Sequence, residues 1–311
     1  MKRVIITGAT GAIGVALIQE FITRRIEVLV LCRKGSRRNQ NIPVHPLVET
    51  ICCPLEQLAD LQNNTGKTYD TFYHLAWEGT MGSARDDMYL QNRNVRFTMD
   101  AVNVAQRFGC KTFVGAGSQA EYGRVEGVIN GETPTFPENG YGIAKLCAGQ
   151  MSRIVCGQKN IRHIWARILS IYGPYDQPNT MVMSTIGKLL QGETPALTKG
   201  EQKWDYLYSK DAARALVLLA EHGVNGKTYC IGSGKAIPLI TYAKQIRDAI
   251  DKNAALGIGE IPYSPKQVMY LCADISDLTE DTGFTPVYTF GEGTFDTVTW
   301  YKQHYGNSIP I

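Results

Sequence analysis

The chain has 311 residues, 44% of them hydrophobic and 20% charged, an ordinary globular composition whose length calls for one large or two intimately joined domains. Net charge is +3, and four of the cations, Arg33, Lys34, Arg37 and Arg38, fall in one six-residue run, which argues against a general nucleic-acid-binding surface. No apolar run reaches the ~18 residues that a membrane span needs.

In chain order, Val4, Ile5 and Ile6 form a short continuous apolar run, the pattern of a strand buried on both faces. The strand begins at residue 3 or 4, and we expect no signal peptide before it. Gly8, Gly11 and Gly14 follow three apart, and Val15 to Phe21 read as a helix whose apolar face carries Ile13, Leu17 and Phe21. "EVLVLC" at 27–32 supplies a second strand and completes a β-α-β unit. A glycine-rich turn between strand and helix brings backbone close to a bound group and aims the free N–H groups of the helix start at an anion. An ordinary tight turn is the plainer reading of the triplet. The flanking strand and helix favour a dinucleotide site, with a pyrophosphate held by Gly8, Thr10, Gly11, Ala12 and Ile13.

Strand-like and helix-like segments then alternate. "YDTFYHLAW" (69–77) reads as a strand, 94–109 as a helix closed by Gly109, 110–118 as a strand, 141–158 as a helix, and 161–173 as containing a further strand. This alternation implies an α/β fold, a doubly wound parallel sheet with helices on both faces. After about residue 170 the regularity weakens and loops rich in Pro and Gly separate shorter elements. We therefore expect residues 1–168 plus about 206–232 to bind the dinucleotide, and about 169–205 plus 233–311 to form a smaller C-terminal substrate lobe. Ligands in such folds sit beyond the carboxyl ends of the strands, which places Gly8 to Gly14, Cys32–Arg33, His74 to Ala76 (with Leu75) and Ser118 along one rim. The eight cysteines contain no C-x-x-C pair, and read as reduced thiols of a cytoplasmic protein with no metal site.

The candidate catalytic group is Tyr141-Gly-Ile-Ala-Lys145. A spacing of four places both side chains on one helix face, and an ammonium near a phenol favours the phenolate, so the pair is expected to lower the tyrosine pKa and to exchange a proton with a sugar or alcohol oxygen. Tyr206–Lys210 repeats the spacing, so the pattern alone is weak. Ser118, ending the preceding strand, favours Tyr141, because its hydroxyl could bond the same substrate oxygen.

Thr7-Gly8-x-x-Gly11-x-x-Gly14, Ser118 and Tyr141-x-x-x-Lys145, in that order, resemble the extended short-chain dehydrogenase/reductases of the NAD-dependent epimerase/dehydratase family. "HLAW" (74–77), Asn94-Val95, "RILSIYGP" (167–174), "WDYLYSKDAARAL" (204–216) and "YLCADISDL" (270–278) are similar to further segments of that family, so the resemblance covers nearly the whole chain. It implies a Rossmann fold, a nicotinamide cofactor and a nucleoside-diphosphate sugar. Tyr141 would shuttle the hydroxyl proton, Lys145 would hold the cofactor ribose, and Ser118 would orient the sugar oxygen. It also implies a homodimer built on helices 94–109 and 141–158.

The departures from the family pattern select among its members. Relatives that prefer NAD(H) usually end the second strand with a carboxylate. Here the segment Cys32 to Arg38 has none, and a 2′-phosphate would pair with Arg33, Lys34 and Arg37 or Arg38. NADP(H) is therefore expected, with NAD(H) the alternative. The 4,6-dehydratases carry Thr-Asp-Glu where this chain has Ser118-Gln119-Ala120, which speaks against dehydration, and Glu121 is no simple stand-in. Pro54 seats where many relatives keep an acid for the adenine. Trp204 falls where the family's diphosphate arginine lies, with Lys203 and Lys266 as alternative cations, and Ser170 replaces the usual Asn. Glu78, Arg85, Asp86 and Gln119 are the remaining candidates to contact substrate. The resemblance implies hydride transfer at C4 of the sugar; the basic loop after the second strand and the missing acid pair place 4-ketoreduction ahead of 4-epimerisation, with a non-catalytic NADP-sensing protein as the alternative from another class.

Overall fold

The computed structural model describes residues 1–265 and 267–306. Six strands precede residue 170: β1 (Arg3–Thr7), β2 (Glu27–Cys32), β3 (Val48–Cys52), β4 (Thr71–His74), β5 (Thr112–Ser118) and β6 (Arg162–Ile168). Short strands β7 (Ser170–Tyr172), β8 (Ala196–Leu197), β9 (Lys203–Trp204) and β10 (Tyr206–Tyr208) follow. After them come β11 (Thr228–Ile231), β12 (Ile237–Pro238), β13 (Gly257–Ile258) and β14 (Tyr270–Leu271). The large sheet has seven parallel strands in the order β11-β6-β5-β4-β1-β2-β3. The chain runs outward from β1 to β3, then restarts beside β1 with β4 and runs the other way. A crevice opens at such a reversal, beyond the carboxyl ends of β1 and β4.

Alternate strand residues feed two cores, as the two-residue period of a strand requires. Val4, Ile6, Tyr73 and Val114 join Leu17 and Phe21 of α1 (Ala12–Thr23) on one face, together with Leu216 from residues 209–222. Ile5, Leu29, Phe72 and Phe113 face the other way, onto Val102 and Ala105 of α2 (Met88–Arg107) and Cys156 of α3 (Gly140–Gln158). α4 (Met181–Leu190), α5 (Ser209–His222), α6 (Leu239–Ile250), α7 (Ser276–Thr282) and α8 (Phe290–Tyr305) complete the chain. α4, α6 and α8 enclose a third core around Tyr172, Ile186, Ile246 and Tyr301.

Two boundaries differ from the sequence reading. The helix expected at 94–109 starts at Met88, because the Asp87 carboxylate caps it by accepting the Leu90 N–H at 3.0 Å. Its first turns project past the sheet rim and bury Gln91 and Asn94 against a loop, so no apolar stripe marked them. The strand expected at 69–77 is confined to Thr71–His74, since beyond His74 the chain rises over the glycine turn, with Leu75 N–H donating to Thr7 O. The Tyr206–Lys210 repeat spans the end of β10 and the start of α5, where Lys210 Nζ meets Asp296 at 2.8 Å, an ion pair away from Tyr206.

Candidate active site

The glycine turn divides its labour. Gly8 has φ +76°, and a Cβ there would lie 2.6 Å from the Leu75–Ala76 backbone, so only glycine fits under the crossing chain. Gly14 packs helix on strand, where a Cβ would come within 2.7 Å of Ala9 Cα. Gly11 is the N-cap of α1 and supplies no side-chain acceptor, and an added Cβ would meet only Arg38 Nη2, at 3.6 Å. The first N–H groups of α1 are therefore left for a ligand anion. Thr7, Gly8, Thr10, Gly11 and Ala12 line one long cleft with Leu75, Ala76 and Trp77. Ile13 contributes its place in the first helical turn, while its side chain packs on the core. Thr7 Oγ1 and His74 Nδ1 share a hydrogen bond of 2.9 Å. Burial, assisted by Lys145, pushes the His74 pKa down to about 3, so this histidine is a neutral strap beneath the cleft.

The basic run splits. Arg33 and Arg38 line the cleft, whereas Lys34 and Arg37 are exposed and lie outside its lining. Arg38 is already engaged, donating to Thr10 O and Tyr175 O at 3.2 Å each. It ties the glycine turn to the 173–177 loop. Arg33 makes no ion pair among the described residues. Cys53, Pro54 and Glu56 reach the same cleft; the sequence reading gave Glu56 no role, because it lies two residues past Pro54 in a short 3₁₀ turn.

Tyr141 lines neither this cleft nor a second hollow but touches one side chain of each, Trp77 and Arg85. Asn139 caps α3 by accepting Gly142 N–H at 2.8 Å, and Asp86 Oδ1 accepts Gly140 N–H at 3.0 Å, so the helix start is pinned from both sides. The Trp77 ring meets Tyr141 edge-on, centroids 6.1 Å apart, and the Arg85 guanidinium lies 4.4 Å over the phenol ring. Burial raises the Tyr141 pKa above its ordinary 10, opposed by Ser118 and Arg85. Lys145, one turn along, is buried; its Nζ donates to Ala116 O at 2.6 Å and sits 3.9 Å over the Trp77 ring. It is 5.8 Å from the Tyr141 ring centroid, and burial pushes its own pKa down to about 7. The expectation that Lys145 lowers the phenol's pKa is therefore not what this arrangement delivers. The net shift is upward, and the cation acting on Tyr141 is Arg85.

Ser118 ends β5 and opens a 3₁₀ turn with a capping box, accepting from Ala120 N–H while Glu121 accepts from Ser118 N–H at 2.8 Å. Its hydroxyl donates to Gln119 Oε1 at 3.0 Å. Glu121 is fully buried and also takes Arg167 Nε at 2.6 Å and Trp165 Nε1 at 3.0 Å. Its oxygens are spent on structure.

The second hollow is lined by Arg85, Gln119, Asn139, Trp204 and Tyr270, with Arg124. Arg124 is held bidentate by Glu138 at 2.8–2.9 Å. Trp204 donates from Nε1 to Ser170 Oγ at 2.7 Å, so Ser170 sets the indole from behind. Lys203 is exposed on β9 and outside the hollow, and Lys266 lies outside the described residues. Glu78 lines the first cleft instead, 3.8 Å from Arg93, its backbone clasped by Asn94. Trp77 was missed. The only signal for it was an indole directly after the His-Leu-Ala segment on the rim.

The model of the NAD dependent epimerase/dehydratase family matches residues 4–232. The dTDP-glucose 4,6-dehydratase of Streptomyces niveus is 24% identical over 251 residues, covering 79% of this chain and 74% of that enzyme. The UDP-N-acetylglucosamine 4-epimerase of Methanobrevibacter ruminantium M1, solved in complex with UDP-N-acetylmuramic acid, superposes with a TM-score of 0.87 at 22% identity, over 97% of this chain and 98% of that one. The UDP-glucuronic acid 4-epimerase of Bacillus cereus, solved in complex with NAD, gives 0.85 at 19% identity, over 99% and 98%. At these identities the structural likeness is one of fold. Among the described residues no helix is long and apolar enough to cross a membrane.

Proposed function

This chain belongs to the NAD dependent epimerase/dehydratase family, and we propose that it is an NADP(H)-dependent oxidoreductase transferring hydride at C4 of a nucleoside-diphosphate sugar, with 4-ketoreduction as its net reaction. The observation that supports this reading is Tyr141, in contact with Trp77 of the cofactor cleft and Arg85 of the second hollow and beside Ser118, with uncharged residues where the dehydratases carry their acid pair. Gln119 and Ala120 occupy the positions of the dehydratase acid pair, and the Glu121 carboxylate is committed to Arg167 and Trp165. Burial keeps the phenol protonated at neutral pH, which suits a group that must give a proton to a forming alkoxide.

The glycine turn and the open start of α1 fit a cofactor pyrophosphate, and the Arg33 wall fits a 2′-phosphate with Arg38 beside it. Lys34 and Arg37 would contribute only as outlying charge. When bound, the nicotinamide supplies the hydride. Lys145 would hold the adjoining ribose, Ser118 would orient the sugar oxygen, and Tyr141 would donate the proton. Arg85, Gln119, Trp204 and Ser170 would shape the sugar side, with Glu78 at the junction and Lys203 at most an outer contact. NAD(H) is the competing cofactor.

On this reading residues 1–168 with about 206–232 bind the cofactor, and about 169–205 with 233–311 bind the substrate. The eight free thiols fit a reducing cytoplasm. Met88, Tyr89, Ile143, Met151 and Ile154 are exposed along α2 and α3, which suits a homodimer joined there, testable by light scattering. The function is tested by mixing the protein with NADPH and a panel of nucleoside-diphosphate 4-keto-6-deoxy sugars and following the reduced-nicotinamide absorbance. Stoichiometric loss with one sugar is expected. Tight cofactor binding without loss would replace ketoreduction by an internally recycling 4-epimerisation. A Tyr141→Phe protein unaffected in all respects would point to the sensor.

A further inference from the structure

We propose that Trp77 is the counter-group of the Lys145 ammonium, a positioning residue that keeps this lysine charged and holds it against the ring that forms part of the cofactor-cleft wall. The role deepens the oxidoreductase reading above and rests on it. Lys145 is 3% exposed, and among the described residues it forms no ion pair. Its Nζ has two neighbours of note, Ala116 O at 2.6 Å and the face of Trp77 at 3.9 Å.

Among the described residues no carboxylate lies within ion-pair distance of it, and Glu121 favours its charge only through space. On α3 itself Tyr141 is a protonated phenol. From β4 comes His74, neutral and bonded to Thr7. From the loop after β4 come Arg85, a second cation, and Glu78, which faces Arg93. From the turn after β5 comes Glu121, whose oxygens serve Arg167, Trp165 and Ser118 N–H. A desolvated ammonium over an indole face is where a cation–π contact is strongest. Burial has already pushed Lys145 down to about 7, against the favourable field of Glu121, so at neutral pH the ammonium is finely balanced and the ring adds to that field.

The indole is also fixed in plane. Trp77 Nε1 donates to Gln91 Oε1 at 2.8 Å, and Gln91, buried on α2, donates from Nε2 to Gly79 O at 2.8 Å and Ala84 O at 2.9 Å. Turning the ring breaks this clamp. The same ring lines the cofactor cleft and meets the edge of Tyr141. Lys145 is thus held between Ala116 O and the ring that lines the cleft.

The test uses the full chain labelled with [ε-13C]lysine, without cofactor or substrate, the Lys145 signal being identified by its loss in Lys145→Arg. In the unmodified protein the Lys145 ε-CH2 protons are expected well upfield, from the indole ring current. In Trp77→Leu, which keeps apolar bulk, the upfield shift disappears and the titration midpoint falls by about one pH unit. Trp77→Phe, with a ring of weaker quadrupole, gives intermediate values. A Lys145 signal with no upfield shift in the unmodified protein overturns the proposal. So does a Trp77→Phe protein whose signal and midpoint match those of the unmodified protein, even if Trp77→Leu fails to fold. A failure to oxidise NADPH would count against the reductase reading alone.

Discussion

Gly11→Ala and Gly14→Ala should separate two duties that the glycine turn combines. Gly11 has φ −97° and ψ 176°, which alanine adopts freely. Its new methyl would find only Arg38 Nη2 at 3.6 Å, an ordinary contact. Alanine is a poorer N-cap than glycine by up to about 1 kcal/mol, but it removes about 0.4–1 kcal/mol of unfolded-state entropy. The net change in stability is within ~1 kcal/mol, and Tm should move by no more than ~4 °C. The methyl does, however, stand in the cleft where backbone must approach a pyrophosphate. Losing one or two charge-assisted hydrogen bonds at about 1.5–3 kcal/mol each weakens cofactor binding roughly 100-fold.

Gly14→Ala should behave in the opposite way. Its Cβ would press on the Gly8 carbonyl and lie 2.7 Å from Ala9 Cα, an overpacking that costs about 1–3 kcal/mol or more and lowers Tm by roughly 3–10 °C. Isothermal titration with NADPH and NADP⁺, alongside thermal unfolding followed by circular dichroism, reads both. A Gly11→Ala protein that binds cofactor as the unmodified protein does, or that loses as much Tm as Gly14→Ala, would refute this division of roles.

Four further outcomes are expected. On the proposed mechanism Tyr141→Phe removes the proton donor and should lower turnover ~10²–10⁴-fold while cofactor affinity, measured by titration, stays put. Arg33→Ala should weaken NADPH roughly 10–100-fold through loss of one charge-assisted pair and leave NADH within about twofold; equal losses for both cofactors would contradict a 2′-phosphate contact. Glu121→Gln leaves Arg167 buried beside an uncharged amide, which should cost about 3–5 kcal/mol and lower Tm on the order of 10 °C, whereas a stability loss under ~1 kcal/mol would show that the pair carries little. Stability should also fall as pH drops below the ordinary histidine value of 6.5. Burial depresses His74 to about 3 and His163 to about 4, so the unfolded chain takes up these protons first and the folded state loses ground down to those values. Asp176, raised by burial to about 6, acts in the opposite sense, since its folded form gains a proton before the unfolded one. Asp100 and Asp205 are raised as well, whereas Glu27, Asp70, Asp274, Asp281 and Glu292 are held low by their hydrogen bonds and cations; with the two histidines the lowered groups outnumber the raised ones, and urea titrations at pH 7, 5.5 and 4.5 should give steadily lower midpoints.

What could be read from the residues alone is what local chemistry fixes. Val4 to Ile6, the glycine triplet and the helix face of Leu17 and Phe21 are decided within twenty residues by burial pattern and backbone freedom, and they fold as read. The 27–32 strand and the start of α3 near Tyr141 are likewise set by contiguous pattern and by the Asn139 cap. The Tyr141–Lys145 spacing correctly placed both on one helix, because 3.6 residues per turn leaves no choice.

Spacing cannot say which group a flexible side chain meets across the fold, and that is where tertiary structure decided. It sent Lys145 to Ala116 O and the Trp77 face and put Arg85, from a loop 56 positions earlier in the chain, over the Tyr141 ring. It divided four adjacent cations into two that line the cleft and two that do not. It also spent Glu121 on Arg167, 46 residues away. Each of these is a long-range electrostatic or hydrogen-bond choice among partners that packing brings together. No local propensity encodes such a choice. The sequence by itself determined the scaffold and the list of chemical groups, and only the packed molecule determined which charge faces which.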